Sequence, residues 1–360
     1  MDKYWIAFSS IEGVDGVFVQ RLFNYFGDIE SAFKASRNDL TQIDGLSIKK
    51  AENFLKERDK INLDKTMEEV LRRGIKYITF DSPNYPEMLK QIEDAPIILY
   101  YKGDLSSCNL NKTLAVVGSR RASYYAKEAV EKILSELEGT DICIVSGLAS
   151  GIDTSAHTNA LKYGLKTIGV IASGFDYVYP AANKSLYEQI ENGGGAVVTE
   201  YYPTFEPLKF RFPQRNRIVS GLSYGTLVAE ASMKSGALIT ANLTLEQGRE
   251  LLCIPGLISN PNTEGIYKLI KNGATLTTCA NDILEALNWE LKHSKQLKMD
   301  LSDLNETEEK IVRSLEVEDK SFDEISAETG ISTEDLLIHL TTLELREIIK
   351  QVNGNRYVKV

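Results

Sequence analysis

Two stretches of this chain carry residue types that can hold a polyanion. The first is Gly118-Ser119-Arg120-Arg121, directly after the apolar run Thr113-Leu-Ala-Val-Val. Gly118 permits a tight turn, the Ser119 hydroxyl can donate to a phosphate oxygen, and the next helix start offers free N–H groups. The two guanidiniums add charge-assisted contacts that can be bidentate. The second stretch runs from Phe210-Arg-Phe-Pro-Gln-Arg-Asn-Arg-Ile-Val-Ser-Gly-Leu-Ser to Ser235-Gly236-Ala-Leu-Ile-Thr-Ala. Arg215 and Arg217 flank Asn216 there and read equally as ligand contacts or as clamps within the protein, so Arg120 is the stronger candidate for a ligand.

Aromatic residues interleave with these loops: Phe175, Tyr177 and Tyr179, then Phe205, Phe210 and Phe212. Bases of a single strand can stack on such rings, with ~1–3 kcal/mol per base typical, whereas a duplex hides its bases. The pattern therefore favours single-stranded nucleic acid, with most of the rings serving the core.

No assembled catalytic constellation accompanies these residues. Gly118-Ser-Arg-Arg is neither Gly-x-Gly-x-x-Gly nor a phosphate-binding P-loop, so nucleotide hydrolysis has no direct support. Gly221-Leu-Ser-Tyr-Gly matches the nucleophile-elbow spacing, but it precedes a strand instead of following one, and only His293 and His339 come after it. His157 lies beside the second glycine loop and reads as a ligand contact or a helix-packing residue.

The elements that must position these residues alternate between strands and helices. Apolar strands are expected over 113–118, 142–147, 167–172, 196–200, 226–230 and 251–256, with helices over 124–137, 154–163, 184–191 and 243–249. Near-continuous apolar strands between helices imply a parallel sheet covered on both faces, whose carboxyl-edge loops form the ligand crevice. Residues 1–75 read as a helical domain, because Ile43-Asp-Gly-Leu-Ser-Ile-Lys-Lys-Ala-Glu-Asn-Phe-Leu has helix-hairpin-helix form and Ile11–Phe23 is a looser copy. Ser47 replaces a glycine in one copy and Asp15 intrudes in the other, which favours plain packing over DNA contact. The sheet core spans 76–289, a polar linker 290–304, and a winged helix 305–360 that closes on an Asn-Gly hairpin. Its third helix, over 332–347, carries Glu334, Asp335, Glu344 and Glu347, which repel phosphate and point to a protein contact or a regulatory role.

Composition sets the frame. A chain of 360 residues supports two or three domains, and its net charge of -10 argues against indiscriminate coating of nucleic acid. The excess acid lies outside 108–287, where 16 Lys and Arg meet 17 Asp and Glu. Cys143 and Cys253 sit in apolar runs, and there is no Cys-x-x-Cys or His cluster, so no metal or other cofactor is expected. The start has no signal-peptide pattern and no apolar run approaches the ~18 residues of a membrane span, so a cytoplasmic protein is expected.

The motifs Gly118-Ser-Arg, Ser146-Gly-Leu-Ala-Ser-Gly-Ile-Asp with Ala156-His, Tyr179-Pro with Asn183, Phe212-Pro-x-Arg-Asn-Arg-Ile-Val-Ser-Gly-Leu-Ser, Ser235-Gly-Ala-Leu-Ile-Thr-Ala, Glu246-Gln-Gly-Arg and Ile254-Pro-Gly resemble those of the bacterial DNA-processing protein A family, also called Smf. The likeness covers essentially the whole chain. It implies an extended Rossmann core flanked by a SAM- or helix-hairpin-helix-like N-terminal domain and a C-terminal winged helix. It further implies a homodimer that binds and protects incoming single-stranded DNA in natural transformation and loads the RecA recombinase onto it.

Position by position, it matches Gly118, Ser119 and Arg120, Gly147 and Gly151, and Arg215, Asn216 and Arg217 to the family's nucleic-acid site; Arg121, Phe175, Ser235 and Gly236 join them as candidates on this chain's own residues. The family's lysine after Tyr-Pro is here Ala181, so Lys184 is the nearest substitute. The dimer contact is expected on Ile266, Leu269 and Ile270, apolar at helical spacing, with core packing as the competing reading. The runner-up is an enzyme: Gly225-Thr-Leu-Val-Ala-Glu230 resembles the Gly-Thr-x-x-Glu end of nucleotide-cleaving phosphoribohydrolases, with Glu230 as the catalytic group. A winged-helix transcription regulator is disfavoured by the acidic third helix.

Overall fold

The computed structural model describes residues 1–290, 304–315, 319–345, 348–352 and 356–359, in two compact units, Met1–Lys292 and His293–Val360. The expected linker at 290–304 and the Asn-Gly turn of the hairpin fall almost wholly outside the described residues.

Six helices open the first unit: α1 (Asp2–Ser9), α2 (Gly16–Phe26), α3 (Ile29–Lys34), α4 (Arg37–Thr41), α5 (Ile48–Arg58) and α6 (Leu63–Arg72). Asp15, Asp28, Ser36, Ser47 and Asn62 each accept the N–H three residues on, so every start from α2 to α6 is side-chain capped. Trp5, Phe8, Phe33 and Phe54 fill their core. In the hairpin copies Asp15 is bound by Lys50, and the Gly45 carbonyl accepts from Arg21. These hairpin groups are engaged within the protein.

The main sheet contains β1 (Lys76–Thr79), β2 (Ile98–Gly103), β3 (Thr113–Val117), β4 (Cys143–Ser146), β5 (Lys166–Val170), β6 (Gly195–Thr199), β7 (Gly225–Val228), β8 (Glu250–Cys253) and β9 (Thr275–Leu276). Their order is β1-β2-β6-β5-β4-β3-β7-β8-β9, with antiparallel pairing confined to β1–β2 and β2–β6. The connecting helices are α7 (Glu87–Lys90), α8 (Tyr124–Ser135), α9 (Ile152–Lys162), α10 (Lys184–Gln189), α11 (Arg211–Gly221), α12 (Ala237–Glu246), α13 (Glu264–Lys271) and α14 (Ala280–Ala286). Strand alternation sorts them: Leu114 and Val116 of β3 face a core shared with α8, α9 and α14, while Ala115 and Val117 face one shared with α11, α12 and α13.

Three expectations need correction. The Arg-Asn-Arg stretch, assigned to no element from its sequence, forms α11 with Pro213 in the first turn, where a missing N–H is harmless. Helix α12 starts six residues before the expected 243, with Gly236 at its N-cap and the Ser235 hydroxyl accepting the Ala237 N–H at 3.2 Å. Ile266 and Leu269 do not lie at a dimer surface: they are 0% and 6% exposed within one chain, and Ile270 packs against the same core. A side chain so buried gains ~1.5–3 kcal/mol from its own core.

The second unit holds α15 (Glu306–Ser314), β10 (Lys320–Ser321), α16 (Phe322–Thr329), α17 (Thr333–Leu345), β11 (Ile349–Val352) and β12 (Arg356–Lys359) in a winged-helix arrangement, with sheet order β10-β12-β11. Leu336, Leu340 and Leu343 of α17 are buried, while Glu334, Asp335, Glu344, Leu337 and Ile338 are exposed. Glu347 lies outside the described residues.

Candidate nucleic-acid interface

From β3 the chain winds one way through β4, β5 and β6, then returns to place β7 and β8 on the other side of β3. The loops leaving the carboxyl ends of β3 and β4 therefore border a crevice at the point where the winding reverses. Two adjoining cavities occupy it. One, of about 460 Å³, is lined by Gly118, Ser119, Asp153, Asn216, Ser235 and Gly236; the other, of about 320 Å³, by Tyr179, Pro180, Pro207 and Phe212. Arg120, Arg121, Gly147, Ala149 and Arg215 line both.

The exposed cations of the site stand at its mouth. Arg120 holds its guanidinium 5.4 Å from the Phe212 ring centre, and Tyr179 meets Phe212 edge-on at 5.3 Å. Among the described residues neither Arg120 nor Arg121 forms an ion pair, so both charges are available to a ligand. Ser119 Oγ accepts the Arg121 N–H at 3.1 Å, which leaves its own proton to donate.

Two glycines hold the loops together. Gly151 has φ of 85°, and a Cβ there would strike the Ser119 carbonyl oxygen. A Cβ on Gly118 would lie 2.6 Å from Ile152 Cγ1. They serve close approach between the first and second loops.

Arg215 and Arg217 of α11 have separate tasks, since residues two apart on a helix point to different sides. Arg215, 3% exposed, donates from Nη1 to the carbonyls of Gly147 (2.5 Å) and Val170, and from Nε to Asn216 Oδ1 at 3.2 Å. It clamps the second loop and still reaches both cavities. Arg217 leaves the site altogether and pairs with Glu200 at 2.6 Å and Asp94 at 2.8 Å. Burial raises the Glu200 pKa, and Arg217 opposes that shift. Phe175 is also displaced: it packs on two hydrophobic cores with Lys102 over its ring at 5.4 Å, and lines neither cavity. Lys184 and Ala181 are exposed beyond Pro180, outside the lining of both cavities.

Sequence reasoning missed the braces behind the loops. Leu148 adopts φ of 52°, a region disfavoured for a residue with a Cβ, and is held by full burial and by Asn183 Nδ2 donating to its carbonyl at 2.9 Å. Thr154 Oγ1 donates to Ala149 O at 2.8 Å. Asp153 Oδ2 accepts the Ala149 N–H at 3.3 Å, and burial pushes its carboxyl up to about 6, against the pull of Arg215. His157 is fully buried on the same helix with Nδ1 2.7 Å from Thr167 Oγ1, and burial lowers its pKa to about 3. It packs and touches no ligand site.

The helix start after Arg121 is not free to take a ligand. The carboxylate of Glu230, 1% exposed, accepts the Ser123 N–H, and Ser123 Oγ accepts the Ala126 N–H at 3.2 Å. Ser223 is fully buried and donates to the Val219 carbonyl at 2.9 Å, so it is no nucleophile.

A mainly parallel sheet with arginines and aromatic rings at its winding reversal defines a Rossmann-type protein with a cationic, ring-lined carboxyl edge. The chain belongs to the DNA recombination-mediator protein A family, whose model matches residues 76–288; residues 295–355 match the DprA winged helix domain. It is 31% identical to Protein Smf of Synechocystis over 98% of both chains. An X-ray structure of DNA processing protein A from Streptococcus pneumoniae superposes with a TM-score of 0.71 at 38% identity, covering 79% of this chain and 98% of that one. The Helicobacter pylori DNA processing protein A, whose structure describes its single-stranded DNA binding mode, gives 0.53 at 29% identity over 59% of this chain and 96% of that one.

Proposed function

We propose that this protein is a single-stranded DNA-binding protein of DNA processing and recombination. It takes incoming DNA of natural transformation into the carboxyl-edge crevice, shields the strand and delivers it to the RecA recombinase. The observation that carries the strand reading is Arg120 over the Phe212 ring beside exposed Tyr179: a phosphate-binding charge joined to faces on which unpaired bases stack. The Helicobacter pylori relative's single-stranded DNA binding mode supports it. RecA delivery and a cytoplasmic location rest on the family likeness. Among the described residues no helix is long and apolar enough to cross a membrane.

Binding is favoured over nucleotide hydrolysis because Glu230, the base the enzyme reading needs, is buried against a backbone amide and lines neither cavity. For the homodimer, we place the contact on the exposed Leu257, Ile258 and Leu276, the last on edge strand β9, since the apolar face of α13 belongs to the core. Fluorescence anisotropy with single-stranded and duplex oligonucleotides across a salt series tests the strand reading. Preference for the single strand, with the slope of log affinity on log salt near -0.7 per phosphate engaged, is expected. Equal affinity for duplex would refute it.

A further inference from the structure

We propose that the cavity of about 460 Å³ receives a terminal phosphate, a phosphomonoester borne by a strand end or by a free mononucleotide. This deepens the strand reading above and rests on it.

The cavity's wall at Gly147 carries the argument. Nε and Nη1 of the buried Arg215 are committed to protein oxygens, but its Nη2 has no hydrogen-bond partner among the described residues. That nitrogen lies 2.6 Å from the place a Cβ on Gly147 would occupy, and Asp153 Oδ2 lies 2.7 Å from the same point. The missing Cβ thus leaves room between a spare cationic donor and a buried carboxylate, and no direct ion pair joins the two. Asn216, Ser235, Gly236 and Arg121 line the rest of the cavity.

An internal phosphodiester fits this wall poorly. It has no titratable proton, so an oxygen turned toward Asp153 would meet another anionic oxygen. A phosphomonoester keeps a proton with a pKa of about 6 and has three terminal oxygens. Two of them accept from Arg215 Nη2 and Arg121, while the protonated third donates to Asp153. Burial raises the Asp153 pKa to about 6, so the two acids share one proton near neutrality. The wall therefore selects a strand end over the middle of a strand.

The test uses the full chain and short labelled oligothymidylates carrying a 5′-phosphate, a 3′-phosphate or hydroxyls at both ends, with thymidine 5′- and 3′-monophosphate and thymidine as competitors. One phosphorylated end is expected to bind about tenfold tighter than the hydroxyl-ended strand, and the matching mononucleotide to compete where thymidine does not. In Asp153→Asn, which retains the acceptor for the Ala149 amide, the ratio of phosphate-ended to hydroxyl-ended affinity falls toward one. A competing mononucleotide with no effect of strand ends would assign the site to free nucleotides. Strands that bind equally whatever their ends, with no competition by either mononucleotide, overturn the proposal and leave the strand reading intact. Mononucleotide binding without any strand binding does the reverse.

Discussion

Glu230 turns both carboxylate oxygens to one backbone amide, the Ser123 N–H, at 3.3 and 3.2 Å. The protein thus sets its own buried anion at the positive end of α8, where a ligand phosphate would otherwise be drawn. Replacing Glu230 with Ala strands that amide and is expected to cost about 1–3 kcal/mol, read as a fall in Tm, while Glu230→Gln keeps an acceptor and loses less. Nucleoside monophosphates incubated with the parent protein should release no free base by chromatography. Release that disappears in Glu230→Gln would restore the hydrolase reading.

Arg120 and Arg217 should separate binding from stability. Arg120 is exposed and, among the described residues, in no ion pair, so Arg120→Ala is expected to leave stability within about 0.5 kcal/mol and to reduce the salt slope of strand binding by about 0.7. Arg217→Ala leaves the largely covered Glu200 without its partner and is expected to lose about 3 kcal/mol in urea unfolding. Its folded fraction should bind strand as the parent does. A stable Arg217→Ala with weakened binding would return that arginine to the interface.

The Tyr179–Phe212 pair offers the base contact. Phe212→Leu keeps apolar bulk but removes both the aromatic face and the support under the Arg120 guanidinium. A loss of about 1–3 kcal/mol in single-strand affinity is expected by anisotropy, the worth of one stacked base. Phe175→Leu, which alters a ring outside both cavities, should leave affinity unchanged.

The sheet was legible in the sequence because its strands are short apolar runs that end in glycine or serine, and these runs placed Gly118, Gly147 and Gly151 at one edge. Helix α11 was not, since Phe-Pro-Gln-Arg-Asn-Arg lacks an apolar stripe; its buried face includes arginines held by distant carbonyls and carboxylates. The same long-range pairing hid the different fates of Arg215 and Arg217. Sequence spacing alone also leaves open which neighbour covers an apolar stripe, and α13 shows the outcome: Ile266 and Leu269 meet the sheet of their own chain. The Leu148 backbone and its Asn183 brace depend on contacts 35 residues apart, beyond any local pattern.

Two buried groups on α9 should titrate against each other. Thr167 Oγ1 donates to the Ile144 carbonyl at 2.9 Å, so it accepts from His157 Nδ1, and His157 Nε2 is buried with no hydrogen-bond partner among the described residues. The His157 pKa falls from 6.5 to about 3 on folding; its contribution is present above pH 6.5 and is lost as pH drops toward 3. The Asp153 pKa rises from 3.8 to about 6, so its contribution is full below 3.8 and is lost as pH rises through 6. Between about pH 6 and 4 the two slopes, each about 1.4 kcal/mol per pH unit, oppose and nearly cancel. Asp153→Asn should therefore be more stable than the parent at pH 7.5 and lose stability steeply on acidification. His157→Gln should instead gain stability as pH falls from 6 to 4. Urea unfolding from pH 7.5 to 4.5 reads both slopes, and single variants that share the parent's profile would show that neither group titrates as its burial requires.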